Sequence, residues 1–100
     1  MEVTFATKKL EKYFLTHKEA LRRFGEQVAK RYIQRINIIQ RAKSIHELRN
    51  LPGLRCHPLK ADREGQWAVW LNDRYRLIFE LTDEAQTTVR VLEVSKHYGD

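Results

Sequence analysis

The residues best suited to chemistry lie in the second half of the chain and carry a cation, an imidazole or a phenol. They are His57, Lys60, Arg74, Arg76, Lys96, His97 and Tyr98. Metal-free cleavage of RNA needs a base for the ribose 2′-OH, an acid for the departing 5′-oxygen and a cation for the charge that develops at phosphorus. These side chains supply all three, and the rings of Trp70 and Tyr98 could stack on unpaired bases. The set therefore makes RNA cleavage a candidate activity.

Ordinary structural roles explain the same residues one at a time. A histidine in a strand is commonly hydrogen-bonded or solvated, and terminal residues commonly fray. Arg74 and Arg76 stand two apart, so in a strand they share one face, opposite Tyr75. Such a face is often simply wet, or it forms ion pairs, for which Glu80 and Glu93 are available. Taken singly, these residues do not decide between structure and catalysis.

Other catalytic patterns are absent from the sequence. The chain has no Walker loop, no GxGxxG turn and no HExxH pair. Cys56 and His57 are adjacent, so in a strand they point to opposite faces, which is the wrong geometry for a nucleophile and its base. Nothing in the spacing of His57, His97 and the carboxylates favours a metal site. We expect neither a metal nor a cofactor.

Helical spacing dominates the first half of the chain. Residues 2–6 read as a short strand, and Thr7 is placed to cap a short helix after it. Apolar residues then recur at steps of three and four from Leu21 onward. Together with a capping box at residues 16–19, this spacing predicts one long amphipathic helix that ends near Lys43. A second capping box at residues 44–47 predicts one more short turn.

Alternation replaces helical spacing after Pro52 and Gly53. Residues 55–59 read as a short strand at a sheet edge, because a proline cannot donate a ladder hydrogen bond. Two longer strands follow, joined by Asn72 and Asp73 as a two-residue hairpin turn, and a last strand covers residues 88–94. Helices followed by an antiparallel meander predict an α+β fold, with N-terminal helices packed on a small, mainly antiparallel sheet.

Length and charge bound the class of protein. One hundred residues predict a single domain, residues 1–100. The 19 Lys and Arg residues exceed the 13 Asp and Glu residues, and the net charge of +6 favours an anionic partner without choosing one. The N-terminal residues show no secretory signal and no apolar run is long enough to span a bilayer, so a cytoplasmic location and no membrane contact are expected.

Four separated blocks of the second half resemble the HigB branch of the RelE/ParE toxin superfamily. They are LPGLRCHPLK at residues 51–60, GQWAV at 65–69, NDRYRLIF at 72–79 and VSKHY at 94–98. The first half agrees in its helical character rather than in a motif. The resemblance implies a RelE-like fold and a toxin of a type II toxin–antitoxin pair. Such toxins cut messenger RNA in the ribosomal A site without a metal, leave a 2′,3′-cyclic phosphate and so inhibit translation.

The resemblance also implies residue roles. His57 matches an acid–base histidine, Lys60 a phosphate-stabilising lysine and Arg76 the transition-state cation. Asn72 matches a hairpin asparagine that helps to position the substrate. Many relatives end in Asp-Tyr-His, whereas this chain has Lys96, His97 and Tyr98, so the terminal acid or base is either His97 or Tyr98. Arg74, Trp70 and Lys96 complete the expected substrate-binding set.

The resemblance further implies partners and leaves alternatives open. The expected partners are a HigA-like helix-turn-helix antitoxin, the ribosome and its mRNA, with operator DNA bound only through the antitoxin complex. A ParE-like toxin that poisons DNA gyrase without a nuclease site would use the same fold. A non-catalytic RNA-binding module is the third interpretation, and it would bind RNA in a salt-sensitive way without cleaving it.

Overall fold

The computed structural model describes residues 1–96 and has a mixed α+β architecture. The helices are α1 Lys8–Leu15, α2 His17–Phe24, α3 Glu26–Arg41 and α4 Ile45–Arg49. The strands are β1 Glu2–Phe5, β2 His57–Pro58, β3 Gln66–Trp70, β4 Tyr75–Leu81 and β5 Thr88–Lys96, and a 3-10 turn covers Ala61–Arg63. Within residues 1–96, no helix has the length and apolar character needed to cross a membrane.

The five strands form one sheet in the order β1-β5-β4-β3-β2. β1 runs parallel to β5 and every other pairing is antiparallel, so the mainly antiparallel sheet is confirmed. The helices cover one face, called the helix face here. Its core joins Tyr32, Ile36 and Ile39 of α3 to Leu77 and Phe79 of β4, all of them at most 1% exposed. The opposite face carries the candidate chemistry and is called the site face.

The prediction of one long helix is wrong, because the helix breaks at Gly25. This residue has φ +83° and ψ 169°, a conformation that is essentially restricted to glycine, and it separates α2 from α3. The apolar spacing nevertheless continues across the break. Phe24 and Tyr32 therefore still meet, with ring centroids 5.6 Å apart.

The helix caps follow the sequence in two cases of three. The Thr7 hydroxyl accepts the Leu10 N–H, as predicted, at the start of α1. The Ser44 hydroxyl accepts the Glu47 N–H, although the Glu47 carboxylate accepts from Lys43 rather than from Ser44. Thr16 forms no side-chain cap, so the predicted capping box there is wrong, and its backbone simply joins α1 to α2.

Strand β2 is shorter than predicted, and the turn after β3 is longer. β2 contains only His57–Pro58 and lies at the sheet edge, where proline is tolerated. Residues 71–74 separate β3 from β4, because the Asn72 side-chain oxygen accepts the N–H groups of both Arg74 and Tyr75. Arg74 therefore belongs to the turn. The expectation that it shares a strand face with Arg76 is wrong.

A β-bulge in β5 reverses the alternation of the last strand. Ile78 pairs with Glu93 and Phe79 with Val91, which leaves Leu92 as an extra residue. Beyond the bulge, each residue lies on the face opposite to that expected from simple alternation. Lys96 consequently pairs with Tyr75, on the helix face.

Candidate functional site

Two rows of cross-strand neighbours define the centre of the site face. His57, Ala68, Ile78 and Glu93 form one row, and Trp70, Arg76 and Ser95 form the next. Strands two places apart lie roughly 10 Å apart, so His57 on β2 and Arg76 on β4 are separated by the width of β3. Between them, β3 places the small side chain of Ala68 beside His57 and the larger ring of Trp70 beside Arg76. The sheet thus places an imidazole and a guanidinium on the same face, in adjacent rows.

The imidazole of His57 is oriented by the carbonyl of Arg55. Nδ1 lies 2.7 Å from that oxygen, and because a carbonyl only accepts, Nδ1 carries the proton. In the neutral ring Nε2 then holds the lone pair, as a general base requires. The geometry depends on an unusual backbone, since Arg55 has φ +49°, in the left-handed region. Nothing in the sequence marks Arg55 for this conformation.

Arg76 is a buried cation, with 8% of its surface exposed. Its Nη1 donates to the carbonyl of Asn72 at 2.7 Å and to that of Tyr75 at 3.1 Å. Two backbone carbonyls of the β3–β4 hairpin therefore hold the guanidinium in place. A rigid, poorly hydrated cation interacts more strongly with a developing negative charge than a solvated one does.

Asn72 builds the hairpin rather than pointing freely at a ligand. Its amide oxygen accepts the two turn N–H groups described above, and its Nδ2 donates to the Gln27 side chain at 3.1 Å. Both ends of the amide are therefore engaged within the protein. Arg74 is exposed at the tip of the turn and lines a cleft of about 240 Å³ together with Gln27, Arg31, Trp70, Asn72 and Asp73.

Trp70 is half-buried and surrounded by arginines. The guanidinium carbons of Arg31 and Arg55 lie 5.1 Å and 4.9 Å from the centre of a Trp70 ring. Arg31 also donates to the Leu71 carbonyl, and Arg35 donates to that of Trp70. The sequence reasoning did not single out Arg31 and Arg35, although their spacing of four places both on one face of α3. That spacing is the sequence signal from which both arginines could have been found.

The remaining predicted site residues are separated from the centre or are not described. Lys60 is exposed between β2 and the 3-10 turn, three residues beyond His57. His97 and Tyr98 lie outside the described residues. Lys96 lies on the helix face, lining a cleft of about 270 Å³ with Arg23, Phe24, Tyr75 and Val94. The last strand was expected to end at Val94, whereas β5 continues to Lys96, and the bulge places Lys96 on the helix face.

Burial and charge account for the pKa shifts near the sheet. Desolvation raises the pKa of the Cys56 thiol to about 11, which fits its position in the core behind His57. Desolvation, and then the charge of Arg31, lower the pKa of Arg35. Among residues 1–96, no three His, Cys, Asp or Glu side chains are grouped closely enough to hold a metal ion.

Known structures share this arrangement of strands and helices. The YoeB/ParE toxin from Agrobacterium tumefaciens superposes with a TM-score of 0.67 at 16% identity, over 98% of this chain and 100% of that chain. YoeB in the YoeB–YefM complex from Staphylococcus aureus gives 0.64 at 16% identity, over 98% of both chains. YafQ in the E. coli DinJ–YafQ complex gives 0.61 at 15% identity, over 96% of this chain and 92% of that chain. These similarities show a RelE-like fold.

The family is shown by the sequence. No curated protein gives a significant match to the chain. The family model for the HigB-like toxin, described as the RelE-like toxin of the type II toxin–antitoxin system HigB, matches residues 3–95. The match includes both rows of the site face and the helices behind them. The chain therefore belongs to the HigB-like family of RelE-like toxins from type II toxin–antitoxin systems.

Proposed function

We propose that this toxin is a metal-independent endoribonuclease that cleaves mRNA in the ribosomal A site and so inhibits translation. The observation that carries the proposal is the shared face of His57 and Arg76. One offers an imidazole of fixed tautomer, the other a buried guanidinium, and they lie on the strands to either side of β3. This is the pair of groups that in-line attack by a ribose hydroxyl requires.

His57 acts first in the proposed reaction. Its Nε2 takes the proton from the ribose 2′-OH, and the 2′-oxygen forms a bond to the neighbouring phosphorus. The bond from phosphorus to the 5′-oxygen of the next nucleotide then breaks. The leaving oxygen takes a proton from the acid, for which the candidates remain His97 and Tyr98. The products are a 2′,3′-cyclic phosphate and a 5′-hydroxyl end.

The cations stabilise the phosphorus centre as its charge increases. Arg76 is held by two carbonyls, so it needs no reorganisation when the charge develops. Lys60 contributes a second positive charge from the end of β2. Asn72 acts as a positioning residue, because its backbone carbonyl holds Arg76 and its side chain closes the hairpin. Trp70 and Arg74 contact RNA beside the scissile bond.

We propose residues 1–100 as one toxin domain that acts in the cytoplasm, with the partners implied by its family. An antitoxin protein neutralises the toxin. YoeB and YafQ, which share its fold, are both known in complexes with partner proteins, YefM and DinJ. A HigA-like antitoxin with a helix-turn-helix domain would bring the pair to its operator DNA. Because operator binding depends on that domain, the toxin alone is not expected to bind the operator.

The decisive experiment maps the RNA ends that the purified protein produces on programmed ribosomes. We expect cleavage within the A-site codon, with a 2′,3′-cyclic phosphate on one fragment and a 5′-hydroxyl on the other. A single 2′-deoxynucleotide at the cleaved position should abolish the reaction, because it removes the attacking oxygen. Cleavage of the 2′-deoxy substrate, or products with 5′-phosphate ends, would contradict the proposed chemistry.

A pair of histidine variants links the activity to the site. His57→Ala should lower the cleavage rate roughly 100- to 10,000-fold, the usual contribution of general acid–base catalysis. His46→Ala, at an exposed position in α4, is the matched control and should cleave normally. Growth arrest with intact mRNA in cells expressing the wild type would refute nuclease activity. Relaxed plasmid DNA in those cells would instead support the gyrase alternative.

A further inference from the structure

Four arginines surround Trp70 at the end of the sheet that carries the β3–β4 hairpin. This arginine cluster consists of Arg31 and Arg35 from α3, Arg55 from the loop before β2, and Arg74 from the hairpin. Trp70 is the cross-strand neighbour of Arg76. The cluster therefore begins beside the candidate site and extends around the hairpin end of the sheet towards α3.

Neutral partners position three guanidinium groups of the cluster, those of Arg31, Arg35 and Arg55. Arg31 donates to the Leu71 carbonyl at 2.8 Å, and Arg35 donates to the Trp70 carbonyl at 3.1 Å. Arg31 and Arg55 each pack against Trp70. Carbonyls and an indole ring orient a cation but leave its charge uncompensated. The cluster is therefore preorganised for an anion.

Acidic groups nearby do not neutralise these charges. Within residues 1–96, none of the four arginines forms an ion pair. Asp73 lines the same cleft and is the one carboxylate among its lining residues. Desolvation and the neighbouring Arg31 lower the pKa of Arg35, as expected where like charges are held together. Holding several positive charges close together costs free energy unless an anionic ligand compensates them.

We propose that the arginine cluster and the adjoining cleft bind the phosphodiester backbone of an RNA strand next to the scissile nucleotide. The cleft has a volume of about 240 Å³, and Arg31 and Arg74 of the cluster line it together with Trp70 and Asn72. Guanidinium groups match phosphate oxygens in shape and charge, and several phosphates in sequence require several such groups. An RNA strand is favoured over an acidic polypeptide because the cluster is continuous with Arg76.

This inference rests on the proposed function for its choice of ligand, but its test does not use cleavage. The probe is a labelled single-stranded RNA with a 2′-O-methyl group at the cleavage position, so that it binds without reacting. Fluorescence anisotropy measures its affinity over a range of salt concentrations. Each phosphate contact on a single strand contributes about −0.7 to the slope of log K against log salt.

The test variant neutralises three of the four arginines. The triple substitution Arg31→Gln, Arg55→Gln and Arg74→Gln should reduce the magnitude of the slope by about 2, which is roughly a 100-fold loss of affinity at 0.1 M salt. The matched control replaces three exposed lysines of α1 and α2, Lys8, Lys12 and Lys18, with Gln. Both variants have a net charge of +3, which is the wild-type +6 minus 3. The control should bind RNA within about threefold of the wild type.

Two further measurements keep the result interpretable. Arg31 and Arg55 have structural contacts, so Arg74→Gln alone, at the exposed turn, should still lower the slope by about 0.7 if the triple variant fails to fold. Co-sedimentation with vacant and mRNA-programmed ribosomes distinguishes the source of the RNA. If the variant loses binding to both kinds of ribosome, the cluster binds ribosomal RNA. If it loses binding only to programmed ribosomes, the cluster binds mRNA.

The outcomes separate this inference from the proposed function. If the triple variant and the lysine control bind RNA equally, the cluster is not an RNA site. If the triple variant loses binding to poly-glutamate but keeps RNA binding, the cluster is a protein-binding surface and the inference is overturned. Wild-type protein that binds RNA through the cluster but cleaves no mRNA would refute the nuclease activity and leave the RNA site standing.

Discussion

Replacing Arg76 with Met should separate catalysis from stability. Met has a side chain of similar length without the charge or the donors, so it fills the space beneath the hairpin. In the structure Arg76 is 8% exposed and donates to two carbonyls, at 2.7 Å and 3.1 Å. The substitution therefore removes a preorganised cation from the site face while keeping most of its packing.

The expected loss of activity follows from the role of a preorganised donor. Removing one such group from a site that stabilises a developing oxyanion lowers the rate roughly 100- to 1,000-fold, or about 3 to 4 kcal/mol. Arg76→Lys should retain part of the activity, because it keeps the charge but loses the planar guanidinium. The assay is single-turnover cleavage of mRNA on programmed ribosomes.

The expected effect on folding is small because two opposing terms nearly cancel. Losing the hydrogen bonds to the carbonyls of Asn72 and Tyr75 costs about 1 to 3 kcal/mol. Removing a buried cation from a poorly hydrated position offsets much of that cost. The free energy of unfolding, measured in urea, should therefore change by no more than about 2 kcal/mol.

Arg90→Met provides the matched control. Arg90 is an exposed residue of β5 that lies on the site face beside Glu80. Replacing it with Met changes the net charge by the same amount as Arg76→Met. It should affect cleavage less than about threefold. Folded Arg76→Met protein that cleaves within tenfold of wild type would refute the catalytic role of Arg76. Equal losses in both variants would show that activity follows overall charge instead of this position.

Three further predictions concern the fold. Gly25→Ala should lower the free energy of unfolding by about 1 to 3 kcal/mol, because only the backbone is strained and an added Cβ would meet no atom within 4 Å; unchanged stability in urea would contradict the helix break. Tyr32→Phe should lower the free energy of unfolding by about 1 to 2 kcal/mol, since the hydroxyl donates to the buried Leu10 carbonyl at 2.7 Å. An unchanged melting curve would refute that hydrogen bond. Burial raises the pKa of Cys56 from 9.0 to about 11, so between these values the thiol loses its proton only in the unfolded chain and stability should fall as pH rises. Cys56→Ala should make that slope shallower in urea titrations, and an unchanged slope would refute the burial of the thiol.

Local sequence signals were sufficient for the element types. Alternation in β4 correctly placed Leu77 and Phe79 in the core, and the hydroxyl of Thr7 caps α1 as its position suggested. The resemblance of the second half to the HigB branch predicted both the fold and the family. The family-model match over residues 3–95 confirms the family. These inferences succeed because they depend on neighbours within a few residues in the chain.

Irregular backbone produced the errors. Gly25 interrupts a continuous apolar stripe with a positive φ, and side-chain spacing carries no record of that angle. The last strand extends two residues beyond its predicted end at Val94, and the extra residue in β5 places its final residue, Lys96, on the helix face. Asn72 lengthened the hairpin by accepting two N–H groups, and so removed Arg74 from the strand.

The sequence by itself determined the chemistry available to this protein: a basic chain, an imidazole at His57, a guanidinium at Arg76, and a succession of helices followed by strands. Only the tertiary structure decided which groups meet. The register of three strands placed His57 and Arg76 in adjacent rows of one face, and the packing of α3 against the hairpin brought Arg31 and Arg35 to Trp70. The physical reason is that these contacts join residues far apart in the chain, and their geometry depends on bulges, turns and helix breaks rather than on residue type.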